Sequence, residues 1–167
     1  MTIRHAADYA VYLVVRISVC IVQAMRMETA TAAARALAWL FCSVLKVRRG
    51  VVDDNLAHAF PDLAPQQRRC LARRMWEHLF LLAVEVAHTP RKIHHTNWRD
   101  YLRLGGKDVL VRMLLSDRPL IIVTAHFGNF EVAGVALGLL GFPTFTVART
   151  LDNPYLDRFV NYFRGLS

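Results

Sequence analysis

Residues 119–131 read PLIIVTAHFGNFE, an apolar, β-branched run that passes directly into a polar turn. The run Pro119–Thr124 has the length and composition of a strand buried on both faces of a parallel sheet. After the turn come a helical segment at Phe130–Leu140, a second strand, TFTVA, at Thr144–Ala148, and a last helix that follows Pro154. This strand–helix–strand–helix order predicts an α/β fold.

The first 50 residues contain two long apolar segments. Tyr9–Met25 is near the short limit for a membrane-spanning helix, and Arg16 in its middle disfavours a clean span. Thr29–Val47 is also apolar and ends in a cationic run that suits lipid headgroups. Two core helices of a soluble domain are the alternative. We expect a membrane-anchoring helical region at 1–50 and an α/β domain that starts at residue 51 and continues to residue 167.

The middle of the chain is expected to be helical, with links between the helices. Residues 51–65 are rich in turn formers and predict a link. Pro65 suits the first turn of a helix that runs to about Val86, with Pro90 as its stop. A further helix is expected at Lys107–Leu115.

Composition narrows the class of partner. The chain has 167 residues, 54% of them apolar, and a net charge of +8. The positive charge favours an anionic partner. Because the chain is apolar and its sequence contains no recognisable nucleic-acid-binding module, an anionic membrane lipid is a better partner than nucleic acid. The three cysteines are far apart, which indicates neither a disulfide framework nor a cysteine metal site. Neither strand is followed by a glycine-rich nucleotide-binding motif.

The strongest candidate for chemistry is the pair His126 and Glu131, which has the spacing H-x4-E. The same spacing joins His95 to Asp100, but only His126 directly follows a predicted buried strand, where α/β proteins bind ligands. A carboxylate on one imidazole nitrogen would leave the other free to accept a proton from an attacking hydroxyl. The turn that includes Gly128 could supply backbone N–H groups for an oxyanion.

Two other roles for His126 stay open at this point. It could be a structural histidine that caps the end of a strand. A metal site is disfavoured, because no well-placed third ligand lies nearby in the sequence.

Three stretches carry a resemblance to a known family. VTAHFGNFEVAG, the upstream RRGVVDDNLAHAFPDL and the downstream VARTLDNPYLDRFVNYFRG occur in the order found in bacterial lipid A biosynthesis acyltransferases. The chain closely resembles that family, the lauroyl/myristoyl transferase branch of the lysophospholipid acyltransferase superfamily.

The resemblance implies an enzyme that acts in lipopolysaccharide synthesis on the cytoplasmic face of the bacterial inner membrane. It implies transfer of an acyl chain from acyl carrier protein or coenzyme A, with no further cofactor, to a hydroxyl of a lipid A precursor, a related glycolipid or a lysophospholipid. It places the general base on His126 and its partner on Glu131. It also places Arg149 at the position of an arginine that holds the acceptor's phosphate or headgroup, with Asn153 shaping the turn that follows. The residues that we predict to bind substrate are Gly128, Asn129, Arg149, Asn153 and Arg164.

The resemblance also implies a longer protein. Family members continue with further strands, so we expect 51–167 to be the first part of the acyltransferase domain and the chain to be truncated. The alternative function is therefore an inactive membrane-binding fragment that holds lipid or a partner through its basic helices without catalysis.

Overall fold

The computed structural model describes residues 3–116, 118–141, 145 and 147–165. Eight α-helices form in this part of the chain, joined by turns and extended segments. They are α1 (Ile3–Ala24), α2 (Met27–Trp39), α3 (Arg49–Ala59), α4 (Pro65–Lys92), α5 (Trp98–Tyr101), α6 (Lys107–Leu114), α7 (Phe130–Leu139) and α8 (Pro154–Arg164). A π-helical turn, Leu40–Val44, continues α2 by five residues.

The predicted α/β fold is wrong, because the described residues contain no β-strand and the fold is all-α. Pro119–Thr124 is neither helical nor paired in a ladder, and the side chains of Ile121 and Val123 are 85% and 89% exposed. A β-branched run favours extended backbone, but a strand forms only when a second segment accepts and donates its ladder hydrogen bonds. No described segment does so for this run.

The second predicted strand falls partly outside the described residues, at Thr144 and Thr146. Of its described members, Phe145 and Val147 are fully exposed, Ala148 is exposed, and none is in a strand. Of the predicted strand–helix–strand–helix unit, only the two helices form among the described residues.

Most predicted helices are confirmed. Those expected at Lys107–Leu115, at Phe130–Leu140 and after Pro154 match α6, α7 and α8 within one residue at the boundaries. α1 and the α2–π segment cover the two apolar N-terminal stretches, and α4 begins at Pro65, as predicted.

Two boundaries were wrong. The predicted link at 51–65 is largely α3, in which the turn formers Asp54 and Asn55 are exposed and Arg49 pairs with Asp53 one turn on, at 3.3 Å. α4 passes through Pro90 and ends at Lys92. A proline this close to the C-terminus removes one helical hydrogen bond and interrupts few others.

The chain forms two compact units, of which one is Leu13–His88. Its core is a face of small residues on α2, where Ala30, Ala34 and Ala38 are at most 2% exposed. Ala30 and Ala34 cluster with Val84 of α4, and Phe80 packs against them. Alanines spaced four residues apart lie on one helix face, so this face lets two helices approach closely.

Polar contacts fix the end of α1 against α4 in the same unit. Gln23 Nε2 donates to the carbonyl of Ala87 at 2.8 Å. The imidazole of His88, only 2% exposed, has Nδ1 2.9 Å from the carbonyl of Val84 and Nε2 3.3 Å from that of Met25. Buried carbonyls need such partners, because water cannot reach them.

The other unit is Met1–Tyr12 with Thr89–Ser167. Here the start of α1 packs on α8 through aromatic rings, with ring centroids 5.3 Å apart for Tyr9 and Tyr155 and 6.3 Å for Tyr12 and Phe159. His95 Nδ1 lies 3.1 Å from the carbonyl of Leu139 at the end of α7. This unit contains the predicted catalytic pair.

One described helix has the length and hydropathy of a membrane span, Arg4–Ala24, with mean hydropathy 1.5. Met27–Val44 and Arg49–Ala59 pass the same test only when taken together, and they meet at 93°. These properties are consistent with the predicted anchoring region at 1–50, which stays a prediction, as does the domain boundary at residue 50.

Candidate active site

The turn 125–130 presents the predicted general base. Gly128 has φ +61, a left-handed conformation that a residue with a Cβ adopts at a cost. Asn129 then caps α7, because its side-chain oxygen accepts a hydrogen bond from the N–H of Val132 at 3.2 Å. A short polar turn before a capped helix explains why this segment folds locally.

His126 is exposed at the start of this turn. Its ring packs edge-on against Phe130, with 4.4 Å between the ring centroids. Among the described residues, no hydrogen bond joins its imidazole to the carboxylate of Glu131. The backbone N–H of Phe127, next to Gly128 in the turn predicted to supply oxyanion donors, donates to the carbonyl of Ala125 at 2.8 Å.

Glu131 and Arg164 form the principal ion pair of the site. Arg164 Nε donates to Glu131 Oε2 at 3.0 Å, and Arg164 Nη2 donates to the other carboxylate oxygen. The side chain of Glu131 is 25% exposed and that of Arg164 is 41% exposed. The hydrogen bond that Arg164 donates to Glu131 raises the pKa of Arg164 above its ordinary value. Burial lowers this pKa, and the charges of Glu131 and Asp157 raise it further.

This fork geometry fixes the plane of the carboxylate, since two parallel N–H donors hold both of its oxygens. A carboxylate has about four lone-pair sites, so accepting two hydrogen bonds leaves capacity for a third partner. Glu131, in the first turn of α7, therefore has a fixed carboxylate orientation and can still accept a hydrogen bond from an imidazole N–H.

The remaining predicted substrate-binding residues lie in the loop before α8. Asn153 caps this helix by accepting from the N–H groups of Tyr155 and Leu156 at 3.0 and 3.2 Å, and its amide donates to the carbonyl of Asp8 at 2.8 Å. Arg149 is 89% exposed and lies 3.6 Å from Asp152. No hydrogen bond or ion pair in the described part of the chain joins Arg149 to the His126–Glu131 segment.

Sequence reasoning missed two contacts of this site. Arg164 was assigned to substrate, and its pairing with Glu131 across 33 residues has no local signal. Phe130 was missed as the neighbour of His126, although an aromatic four residues after a histidine is a recognisable pattern for contact once the turn is known. Among the residues that the structure describes, no group of three or more metal-ligating side chains occurs.

A model of the bacterial lipid A biosynthesis acyltransferases matches residues 1–166, essentially the whole chain. The chain belongs to this family. Neither a curated protein nor a solved structure gives a significant match. The predicted resemblance is thus confirmed by an independent comparison.

Membership in the lipid A acyltransferase family makes this chain an acyltransferase in general terms. Members of the lipid A acyltransferase family are transferases of lipopolysaccharide biosynthesis that use an acyl donor and a lipid acceptor. The described segment contains an exposed imidazole, His126, and a carboxylate, Glu131, that is held by Arg164.

Proposed function

We propose that this chain moves a fatty acyl group from acyl carrier protein or coenzyme A to a hydroxyl of a lipid A precursor or a related glycolipid or lysophospholipid. His126 is the general base and Glu131 orients it. The observation that supports this most is the family match over residues 1–166, which includes the histidine-bearing turn, the capped α7 and Arg164.

The reaction needs one base and no enzyme nucleophile. The imidazole of His126 takes the proton of the acceptor hydroxyl as its oxygen attacks the thioester carbonyl. A new ester C–O bond forms, the C–S bond breaks, and the departing thiolate takes the proton back from the imidazolium. The acyl donor is a co-substrate, and the protein supplies the proton transfer.

Glu131 would select the tautomer of His126. An imidazole that donates from one nitrogen to a carboxylate presents the other as an acceptor toward the hydroxyl. This requires the His126 ring to turn from its edge-on contact with Phe130 toward Glu131. The bidentate contact from Arg164 would keep the carboxylate in place while the imidazole moves.

The remaining substrate contacts are proposed as follows. Exposed Arg149 would reach a phosphate of the acceptor or its headgroup, since a guanidinium can donate two parallel hydrogen bonds to phosphate. Gly128 and Asn129 would shape the turn beside the reacting groups, and Asn153 would shape the loop that carries Arg149. The site would lie at the cytoplasmic face of the bacterial inner membrane, held there by the apolar N-terminal helices.

The experiment compares acyl transfer by the unaltered chain with that by His126→Gln, using labelled acyl carrier protein or acyl coenzyme A and a membrane lipid extract. We expect a loss of at least about 100-fold, the lower range for removal of a general base. The matched control is His95→Gln, because His95 has the same spacing to Asp100 and contacts the end of α7 opposite Glu131, at the carbonyl of Leu139.

Equal activity of His126→Gln and the unaltered chain would contradict the proposed role of His126. Transfer by neither chain, together with binding to lipid vesicles, would favour a membrane-binding protein without catalysis. Circular dichroism of both variants separates a lost base from a lost fold.

A further inference from the structure

A second candidate site lies in the Leu13–His88 unit. A cleft of about 490 Å³ opens where the end of the α2–π segment, the start of α3 and the first half of α4 meet. Its polar lining is dominated by cations, Lys46, Arg49, Arg69 and Arg73, and Trp76 supplies an aromatic wall. None of these residues takes part in the proposed acyl transfer.

The cleft carries uncompensated positive charge. Its one acidic lining residue, Asp53, is already paired with Arg49 at 3.3 Å. Arg69 makes only a long contact, 3.4 Å, with the side-chain oxygen of Gln66. Within the described residues, the side chains of Lys46 and Arg73 form no hydrogen bond and no ion pair. Two such cations in one cleft favour an anion with several acceptor oxygens, which is the chemistry of phosphate.

The surroundings of the cleft are apolar. The ring of Trp76 lies against Phe41 and Phe80, with ring centroids 5.5 and 6.1 Å apart. Val44 and Leu45, which directly precede Lys46, are 51% and 56% exposed. An amphiphile with a phosphate at its polar end would bind the cations through that phosphate and cover the exposed apolar surface with its hydrocarbon part.

The bend of the chain agrees with a membrane source for that amphiphile. Met27–Val44 is apolar, and the chain turns by 93° into Arg49–Ala59. The cations of the bend, Lys46, Arg48 and Arg49, follow the apolar segment at once. Apolar residues that end abruptly in lysine and arginine are the pattern of a segment that enters the headgroup layer of an anionic leaflet.

We propose that this cleft binds the phosphate of an anionic phospholipid headgroup, between Lys46 and Arg73. The site holds a lipid of the surrounding membrane and is separate from the acceptor that is acylated. It does not depend on the acyl-transfer proposal, because binding here is measured without turnover.

Trp76 provides the readout, since it lines the cleft and the chain has only three tryptophans. In the full chain with Trp39→Phe and Trp98→Phe, the fluorescence of Trp76 is titrated with dihexanoyl phosphatidylglycerol. Dihexanoyl phosphatidylcholine and inorganic phosphate are titrated in parallel. We expect saturable binding of phosphatidylglycerol, with binding of the other two at least fivefold weaker.

The decisive comparison is Arg73→Gln with Arg74→Gln in that background. The two residues are neighbours on α4 and lose the same charge, but only Arg73 lines the cleft. We expect Arg73→Gln to raise the Kd for phosphatidylglycerol at least fivefold and Arg74→Gln to raise it less than twofold. Lys46→Gln repeats the test on a second element if Arg73→Gln fails to fold.

Three results would overturn the proposal. Equal losses in Arg73→Gln and Arg74→Gln would indicate diffuse surface charge and no site. Equal affinity for phosphatidylcholine would show that the anionic headgroup is not recognised. Inorganic phosphate that binds as tightly as phosphatidylglycerol would make the cleft a site for a free anion and not for a lipid.

Discussion

Arg164 could act in one of two ways, by positioning Glu131 or by binding substrate, and kinetics can distinguish them. The structure joins its guanidinium to both oxygens of Glu131, whereas the family resemblance implies contact with substrate. A residue that positions Glu131 affects the chemical step, and a residue that holds the acceptor affects its binding.

For Arg164→Gln we expect kcat to fall about 100-fold, the usual cost of a misplaced catalytic group, with KM within about threefold of the unaltered value. Arg164→Lys should recover only part of kcat, because an ammonium cannot reproduce the fork. Exposed Arg158, on the same helix, is the control. A large rise in KM with little change in kcat would instead assign Arg164 to substrate.

The pH profile should contain no alkaline limb from Arg164. The hydrogen bond to Glu131 raises the pKa of Arg164 in the folded protein. The charged arginine therefore contributes fully to folded-state stability below its unfolded-state pKa, and this contribution is lost only as pH rises through the raised value. That point lies above the range in which an acyl-transfer assay is run.

Gly128 offers a second test at a single residue. Both Gly128 and Gly134 have open space around a Cβ placed on them, but only Gly128 has a positive φ. Gly128→Ala should therefore lower the free energy of unfolding by about 1 kcal/mol, while Gly134→Ala, inside α7, should raise it by about 0.5–1 kcal/mol. Urea unfolding followed by circular dichroism measures both, and equal shifts would contradict a conformational cause.

Helices were predicted well from this sequence and the sheet was not, for a physical reason. A helix such as α7 or α8 is determined by neighbours within four residues, by caps such as Asn129 and Asn153, and by proline at its start. Strand pairing at Pro119–Thr124 depends on a distant segment, so the local composition of this run could not establish a strand, and the predicted strand is wrong. The same limit hid the contact of Glu131 with Arg164, which are 33 residues apart.

The alanine face of α2 is a feature of the helix as a unit. Ala34 is 2% exposed and packs with Val84, whereas Ala36 on the same helix is exposed. Ala34→Leu should cost about 1–3 kcal/mol of folding free energy, because extra methylenes must displace α4. Ala36→Leu should change it by less than about 0.5 kcal/mol. The measurement is the denaturant midpoint of each variant in the same detergent. Equal midpoints for the two variants would contradict close packing at Ala34.

The chain as a unit is basic and apolar, and its longest apolar helix exposes its side chains. In α1, Val14, Ile17 and Ile21 are each more than half exposed. Membrane contact would cover them, since apolar surface of this extent is costly in water.

Ile17→Asp should release the protein from vesicles that contain anionic lipid, because aspartate costs about 3 kcal/mol in the centre of a membrane helix. Val109→Asp, at a similarly exposed apolar position of α6, should leave binding unchanged. The fraction that sediments with vesicles after a carbonate wash is the measurement. If Ile17→Asp sediments as the unaltered chain does, α1 is not the anchor.

The corner between the π-helical turn and α3 places two cationic residues in an unfavourable backbone conformation. Lys46 and Arg48 have φ +50 and +49, a conformation that glycine or asparagine adopts more easily. Engineering for heat resistance would therefore select glycine at both positions and remove two positive charges. The same substitutions that relieve the backbone would remove cations from the corner. A variant stabilised against heat in this way is therefore expected to bind anionic lipid more weakly.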